Sequence, residues 1–325
     1  MEAEAVCPEA EAARRITPPV HATGPAGPWH EVREGLARRG NASVFTTWGE
    51  WLPAALADPV LRPLLGRDWP RYRQTADPVL RYRFVASRLA VKYTAAAALG
   101  TSPAQLDLAY KVGGRPYLRG FDQIDLSLTH TDDLIAVGIS RTGRIGIDTE
   151  PVDRRLSFEL LQDQVCTPAE RDTLAALPEA EQTAGMLRLW TLKEAYTKAL
   201  GQGLRLDFSS FGFATGGSGS TGSSGSTGSS GAMGSSGAMG SSGVAGSSGD
   251  TGLLAPDGTP AAHGEWAFGT YPVLGRYLVS IACHDTGLDT SRDTAAATML
   301  DEGFMSMVSG LIGAEGGAEN SVPEP

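Results

Sequence analysis

Two carboxylates, Asp148 and Glu150 in the run GIDTE, are followed about forty residues later by WTLKEAYTK, which carries Trp190, Lys193, Glu194 and Lys198. The branched apolar residues around GID read as the end of a strand, where residues i and i+2 face the same side, roughly 6.6 Å apart. Asp148 and Glu150 can then converge on one cation while Thr149 points away. The second run reads as helix, and at about 3.6 residues per turn Trp190, Glu194 and Lys198 fall on one stripe. Trp190 can anchor that stripe in the core and leave Glu194 and Lys198 facing a cleft. Hard divalent cations prefer oxygen, and magnesium takes few protein carboxylates, filling its octahedron with water and phosphate oxygens. Taken singly, the first motif is equally a solvated strand edge and the second an ordinary i,i+4 helix pair. Their joint occurrence in this order points to a magnesium site that holds a pyrophosphate.

The elements that must position these groups are legible on either side. The stretch PEAEQTAGMLRLWTLKEAYTKALG has proline and acids in its first turn and Gly201 just past its end, the signals of one long helix. Shorter helices are expected in PVDRRLSFELLQDQV and after Pro168. Upstream, Asp77 can cap a second long helix with Pro78 at its first position, ending near Gly100. Around it cluster Arg67, Arg71, Arg73, Arg81, Arg83, Arg88 and Lys92. Strands are expected at LAYKV, IDLSLTH, DLIAVGIS, RIGID, LRLDFSSFGF, GEWAFGTY and GRYLVSIAC. Between 124 and 129, Ile124, Leu126 and Leu128 share one face and Asp125, Ser127 and Thr129 the other. His130 therefore sits at a strand end, and GGRP is first of all a turn signal.

GIDTE and WTLKEAYTK resemble the two signature motifs of 4'-phosphopantetheinyl transferases of the large, surfactin-synthetase-activating type. GRPYL (Gly114 to Leu118) and LSLTHT (Leu126 to Thr131) are similar to that family's G-[KR]-P and S-x-[ST]-H motifs. The resemblance spans about residues 45 to 285.

It implies an α+β fold of two pseudo-symmetric lobes, each a long helix packed on a small, mainly antiparallel sheet, with the active site in the cleft between them. It further implies transfer of 4'-phosphopantetheine from coenzyme A to a serine of apo acyl carrier or peptidyl carrier proteins or domains, releasing 3',5'-ADP. These carriers would belong to polyketide, nonribosomal peptide or fatty-acid synthases. Asp148, Glu150 and Glu194 would hold Mg2+, with Mn2+ a possible substitute. The family's phosphate contacts carry over to Arg83 and, less closely, Arg71, and to Arg115, Thr129, His130 and Lys198. Glu194 and Lys198 would be the catalytic pair. Glu194 either takes the serine proton, directly or through a water, or only ligates the metal while a metal-bound water relays the proton. Two other readings stand beside this one: a catalytically silent regulator that binds coenzyme A or a carrier, and another metal-dependent enzyme of phosphodiester or nucleotidyl chemistry. Neither explains GRP, S-x-T-H and W-x-x-K-E-x-x-x-K in one ordered set.

Composition sets the outer limits. The 325 residues are 41% hydrophobic and 20% charged, enough to bury a full core. No run is long and apolar enough to cross a bilayer, and the acidic start MEAEAVCPEAEAARR has no apolar signal region, so a soluble protein without a membrane partner is expected. Cys7, Cys166 and Cys283 are scattered without metal spacing, which suits a reducing cytoplasm. A net charge of -10 argues against a nucleic-acid partner. The expected organisation is a disordered tail over 1–40, an N-terminal lobe over 41–145 with the coenzyme A phosphate contacts, a C-terminal lobe over 146–285 with the metal and catalytic motifs, and a disordered tail over 286–325. Residues 216–250, rich in glycine and serine and running from Gly219 to Ser248 as repeats of G-x-x-G-S-S without proline, read as a flexible loop whose closure entropy grows only logarithmically with length. Two fused lobes already complete a cleft, so a monomer is expected.

Overall fold

The computed structural model describes residues 16–57, 61–111, 113–202, 205–214, 251–261 and 266–285. Its organisation is α+β, with antiparallel sheets and helices in separate layers. Strand Asn41–Thr47 lies at the centre of a four-stranded sheet, parallel to the short Val20–His21 and antiparallel to Leu134–Ser140, which in turn pairs with Asp125–Thr131. A three-stranded antiparallel sheet joins Trp266–Val273, Tyr277–Asp285 and Gly143–Pro151.

Each sheet carries one helix of 22 residues, Pro78–Leu99 on the first and Glu179–Leu200 on the second. The first starts where the Asp77 side chain accepts from the Leu80 amide at 2.8 Å, a cap worth about 1 kcal/mol. It ends at Gly100, whose φ of 65° is the left-handed conformation that releases the chain from the last turn. The second ends the same way at Gly201.

Strand Leu134–Ser140 shows why the two halves form one body. Ile135, Val137 and Ile139 face the core beneath the first long helix with Val85 and Leu89. Leu134 and Ala136 face the other way, into a core shared with Ile145, Ile147, Val279 and Ile281 of the second sheet. Period-two alternation thus places apolar residues on both faces of a strand covered on both sides. The second long helix approaches its sheet at Gly146, where a Cβ would overlap the Ala195 carbonyl oxygen and the Ala199 amide nitrogen. Ala195, Ala199 and Ala282 form the small-residue contact there.

The polar face of strand Asp125–Thr131 becomes the seam between the sheets. Asp125 accepts from the Ile145 amide at 2.8 Å and Ser127 from the Ile147 amide at 3.1 Å, so side chains of one sheet satisfy the free backbone edge of the other.

Two expectations need correction. The stretch assigned to a tail over 1–40 is folded from Ile16 onward: Trp29–Arg39 is a helix whose Val32 and Leu36 are buried in the first core, and Val20–His21 is a strand. The i,i+4 pair Val32/Leu36 and the stop at Gly40 outweigh the proline and glycine that suggested disorder. LRLDFSSFGF is a 3-10 turn, Phe208–Ser210, followed by a two-residue strand, Gly212–Phe213, because its aromatic residues point into the core beneath the second long helix instead of alternating. Residues 1–15, 216–250 and 286–325 lie outside the described residues.

Candidate active site

The last residues of strand Gly143–Pro151 present Asp148 and Glu150, 5% and 9% exposed, on one side, while Thr149 is buried on the other. Across from them, Glu194 and Lys198 stand one turn apart on the second long helix. Lys198 Nζ donates to Asp148 Oδ1 at 2.6 Å and to Thr129 Oγ1 at 3.3 Å, joining that helix to both sheets. Asp148 Oδ2 is buried without a hydrogen-bond partner. Glu150 Oε1 accepts from Trp190 Nε1 at 3.1 Å and pairs with Arg154. Trp190 is therefore only partly a core anchor. Its ring packs edge-on against Phe208, but its N–H belongs to the acidic site.

Glu194 accepts no hydrogen bond among the described residues. Burial and the neighbouring Asp148 carboxylate hold its pKa above the usual carboxylate range; Lys198 opposes this and Glu150 adds to it. The charges of Asp148 and Glu150 thus both act on Glu194. Even so, among the described residues no three His, Cys, Asp or Glu side chains close into a ready ion site. Lys198 and Arg154 take up oxygens of Asp148 and Glu150 instead.

Lys193, next to Glu194 in the motif, points roughly 100° away around the helix. Its Nζ is fully buried at 2.6 Å from Glu170 Oε2 and 2.7 Å from the carbonyl oxygens of Val165, Phe208 and Phe211. Glu170 also accepts from the amides of Thr167 and Phe213. This pair ties the helix to Phe158–Val165, Pro168–Ala175 and the Phe208–Phe213 segment, so one face of the motif carries structure and the other the site.

Beside Lys198 opens a cavity of about 490 Å³, lined among others by Arg71, Arg88, Tyr110, Thr129, His130 and Lys198. Arg88 is fixed there with its guanidinium 4.3 Å from the Phe84 ring centroid and 4.4 Å from that of Tyr110, while its Nε donates to Asp68 at 2.9 Å. The Arg71 guanidinium also lies over Phe84, 5.1 Å from the ring centroid. His130 stands at the rim. Partial desolvation and the charges of Arg83, Arg88 and Lys198 hold its pKa below the ordinary histidine value.

The residues expected from sequence divide accordingly. The structure brings Asp148, Glu150, Glu194 and Lys198 together, and Arg71, Thr129 and His130 share the adjoining cavity. Arg83 does not line it but lies close enough for its charge to act on His130. Arg115 is placed differently from the expectation. Its guanidinium donates to Asp125, to the Ile145 carbonyl at 2.7 Å and to the Lys198 carbonyl, which makes it a clamp across the seam, and it does not line the cavity. The cause is Asp125, a partly buried acid already held on the Ile145 amide, which takes the Arg115 guanidinium as its ion-pair partner. Sequence reading passed over Arg88 as a site residue, and over Tyr110. The spacing of Phe84 and Arg88, one helical turn apart, was the signal available for the first.

Lys198, which lines the cavity together with Arg71, Arg88 and His130, is the contact between that cavity and the buried Asp148 carboxylate. Residues 144–227 match the model of the 4'-phosphopantetheinyl transferase superfamily, so the region carrying all four central residues is similar to that superfamily. The chain is 33% identical over 130 residues to the 4'-phosphopantetheinyl transferase HetI of Nostoc sp., covering 39% of this chain and 55% of that one. It is 26% identical over 130 residues to a 4'-phosphopantetheinyl transferase of Bacillus subtilis, covering 40% and 57%. Against the L-aminoadipate-semialdehyde dehydrogenase-phosphopantetheinyl transferase of Eremothecium gossypii it is 34% identical over 128 residues, covering 38% and 46%. The matched part spans about half the length of these curated relatives. Among the described residues no helix is long and apolar enough to cross a membrane.

Proposed function

We propose that this protein transfers the 4'-phosphopantetheine group of coenzyme A to a serine hydroxyl of an apo acyl carrier or peptidyl carrier protein or domain, releasing 3',5'-ADP. The observation that carries this reading is the junction at Lys198, whose ammonium bridges Asp148 and Thr129 between the acidic site and the cationic cavity. A pyrophosphate lying across that junction would have Arg71, Arg88 and His130 on one side and the three acids on the other.

The donor set fits a divalent cation. Asp148 Oδ2 is buried and unpartnered, and the Asp148 and Glu150 charges both act on Glu194, so a cation at Asp148, Glu150 and Glu194 would relieve all three. Magnesium, or manganese in its place, would supply neutralisation of the pyrophosphate charge when bound.

The chain's own groups account for the rest. A serine hydroxyl is a weak nucleophile at neutral pH. Glu194, with its raised pKa and a carboxylate without a hydrogen-bond donor, is the acceptor of its proton, directly or through a water. The serine oxygen bonds the phosphorus that bears pantetheine, and the bridge to 3',5'-ADP breaks. Lys198 offsets charge that develops on the phosphoryl oxygens. Arg88, stacked between two rings, presents a preorganised guanidinium to a phosphate. The two lobes supply these groups within one chain, which favours a monomer. The buried free thiols of Cys166 and Cys283 are compatible with a reducing cytoplasm.

The deciding experiment incubates the protein with coenzyme A, magnesium and an apo carrier domain and weighs the carrier by mass spectrometry. A phosphopantetheine-sized increase is expected. An unmodified carrier across polyketide, nonribosomal peptide and fatty-acid types would overturn the proposal.

A further inference from the structure

Glu150 is held through a single oxygen. Its Oε1 accepts from the Trp190 indole N–H at 3.1 Å and pairs with Arg154, while Oε2 accepts no hydrogen bond among the described residues. The Arg154 guanidinium also lies over the Trp190 ring, 5.3 Å from its centroid. The three side chains form one unit at the edge of the acidic site.

The two partners of Glu150 have opposite electrostatic consequences. An indole N–H orients a carboxylate without cancelling its charge, as the outer hydrogen bonds of metal ligands do. A guanidinium cancels the charge and competes with any other cation for the same oxygens. Arg154 is free to leave: its side chain is 38% exposed against 12% for Glu150, and it reaches the site from outside the strand, four residues along the chain.

We propose that Trp190 and Arg154 are positioning residues that act through Glu150: Trp190 aims its carboxylate toward the face shared with Asp148 and Glu194, and Arg154 is a tethered counter-ion that a divalent cation displaces. The proposal rests on reading those acids as a divalent cation site. It explains why the acids do not gather into a closed ion site while Arg154 and Lys198 occupy them. It also gives the tryptophan of the WTLKE run a polar duty that an apolar anchor would not have.

The test is titration of the full chain with manganese(II) alone, without coenzyme A or carrier, counting free ion by electron paramagnetic resonance. Trp190→Phe should bind about tenfold more weakly, because the ring is kept and only the aiming N–H is lost. Arg154→Gln should bind up to about fivefold more tightly, the scale of a partly exposed ion pair that no longer competes. Trp190→His, which retains a ring N–H, should recover part of the loss. Residues that merely supported the fold would weaken binding in both variants, so equal signs, or no change in either, overturn the proposal. If Trp190→Phe unfolds by circular dichroism, Arg154→Gln decides alone, and weaker or unchanged binding overturns it. A parent protein that transfers pantetheine yet binds no manganese(II) alone overturns this inference and leaves the transferase reading standing. Opposite-signed shifts in a protein that never modifies a carrier support this inference and remove the transferase reading.

Discussion

The Lys198 ammonium lies 2.6 Å from the Asp148 carboxylate, fifty residues earlier in the chain, and this contact holds the last turn of one helix against the C-terminal half of a strand. It places the only exposed-side lysine of WTLKEAYTK where the acidic site meets the cationic cavity. The surrounding geometry makes four outcomes expected.

Glu194→Gln should abolish transfer to a carrier while leaving the fold intact. The pH dependence separates chemistry from folding. A carboxyl whose folded pKa lies above its unfolded value takes up its proton more readily when folded, so it penalises the folded state as pH rises through that folded pKa. In chelator at pH 7 the variant should therefore melt no lower than the parent. The difference should shrink below about pH 4, where Glu194 is protonated in both states. A lower melting temperature at pH 7 would contradict this.

Gly146→Ala should destabilise the protein by about 1–3 kcal/mol in urea unfolding, since the added methyl meets backbone atoms of Ala195 and Ala199 that cannot yield without shifting the helix. Activity should fall with it, because the shift separates Asp148 from Lys198. Parent-like stability together with parent-like turnover would show that the approach is looser than described.

Lys193→Met leaves Glu170 buried opposite an apolar side chain and should cost about 3–5 kcal/mol. Adding Glu170→Gln removes the uncompensated charge and should restore part of that. A double-mutant cycle in urea measures the coupling, and additive losses would deny that the two residues act as one unit.

Arg88→Ala should weaken coenzyme A binding, measured by calorimetry, by roughly ten- to a hundredfold, the scale of a charge-assisted hydrogen bond of about 1.5–3 kcal/mol. Carrier affinity should change little. Reversing the charge at Arg83, which acts on His130 from outside the cavity, should have a smaller effect on coenzyme A than Arg88→Ala. The opposite ranking would move the phosphate site toward the rim.

Much of this was legible residue by residue. Asp77, Pro78 and Gly100 bound the first long helix, and Gly201 ends the second, because capping chemistry is local. The alternation at 124–129 was also legible, but its meaning was not. Asp125, Ser127 and Thr129 read as a polar face, and only the packing of two sheets turns that face into a seam that binds backbone amides. Arg115 illustrates the same gap. Beside a glycine turn it reads as a phosphate ligand, yet Asp125, Ile145 and Lys198 converge on it from three other places in the chain.

By itself the sequence determined which residue types could do the chemistry and on which local elements they stand, since a strand's period of two and a helix's period of 3.6 are properties of the backbone. Tertiary structure alone decided which of the cations serve the cavity and which serve the fold. Arg88 and Arg115 carry the same charge and similar reach. Partly buried acids elsewhere in the chain, Asp68 for one and Asp125 for the other, set where each guanidinium can rest, and pairing across long sequence separations is not written in local periodicity.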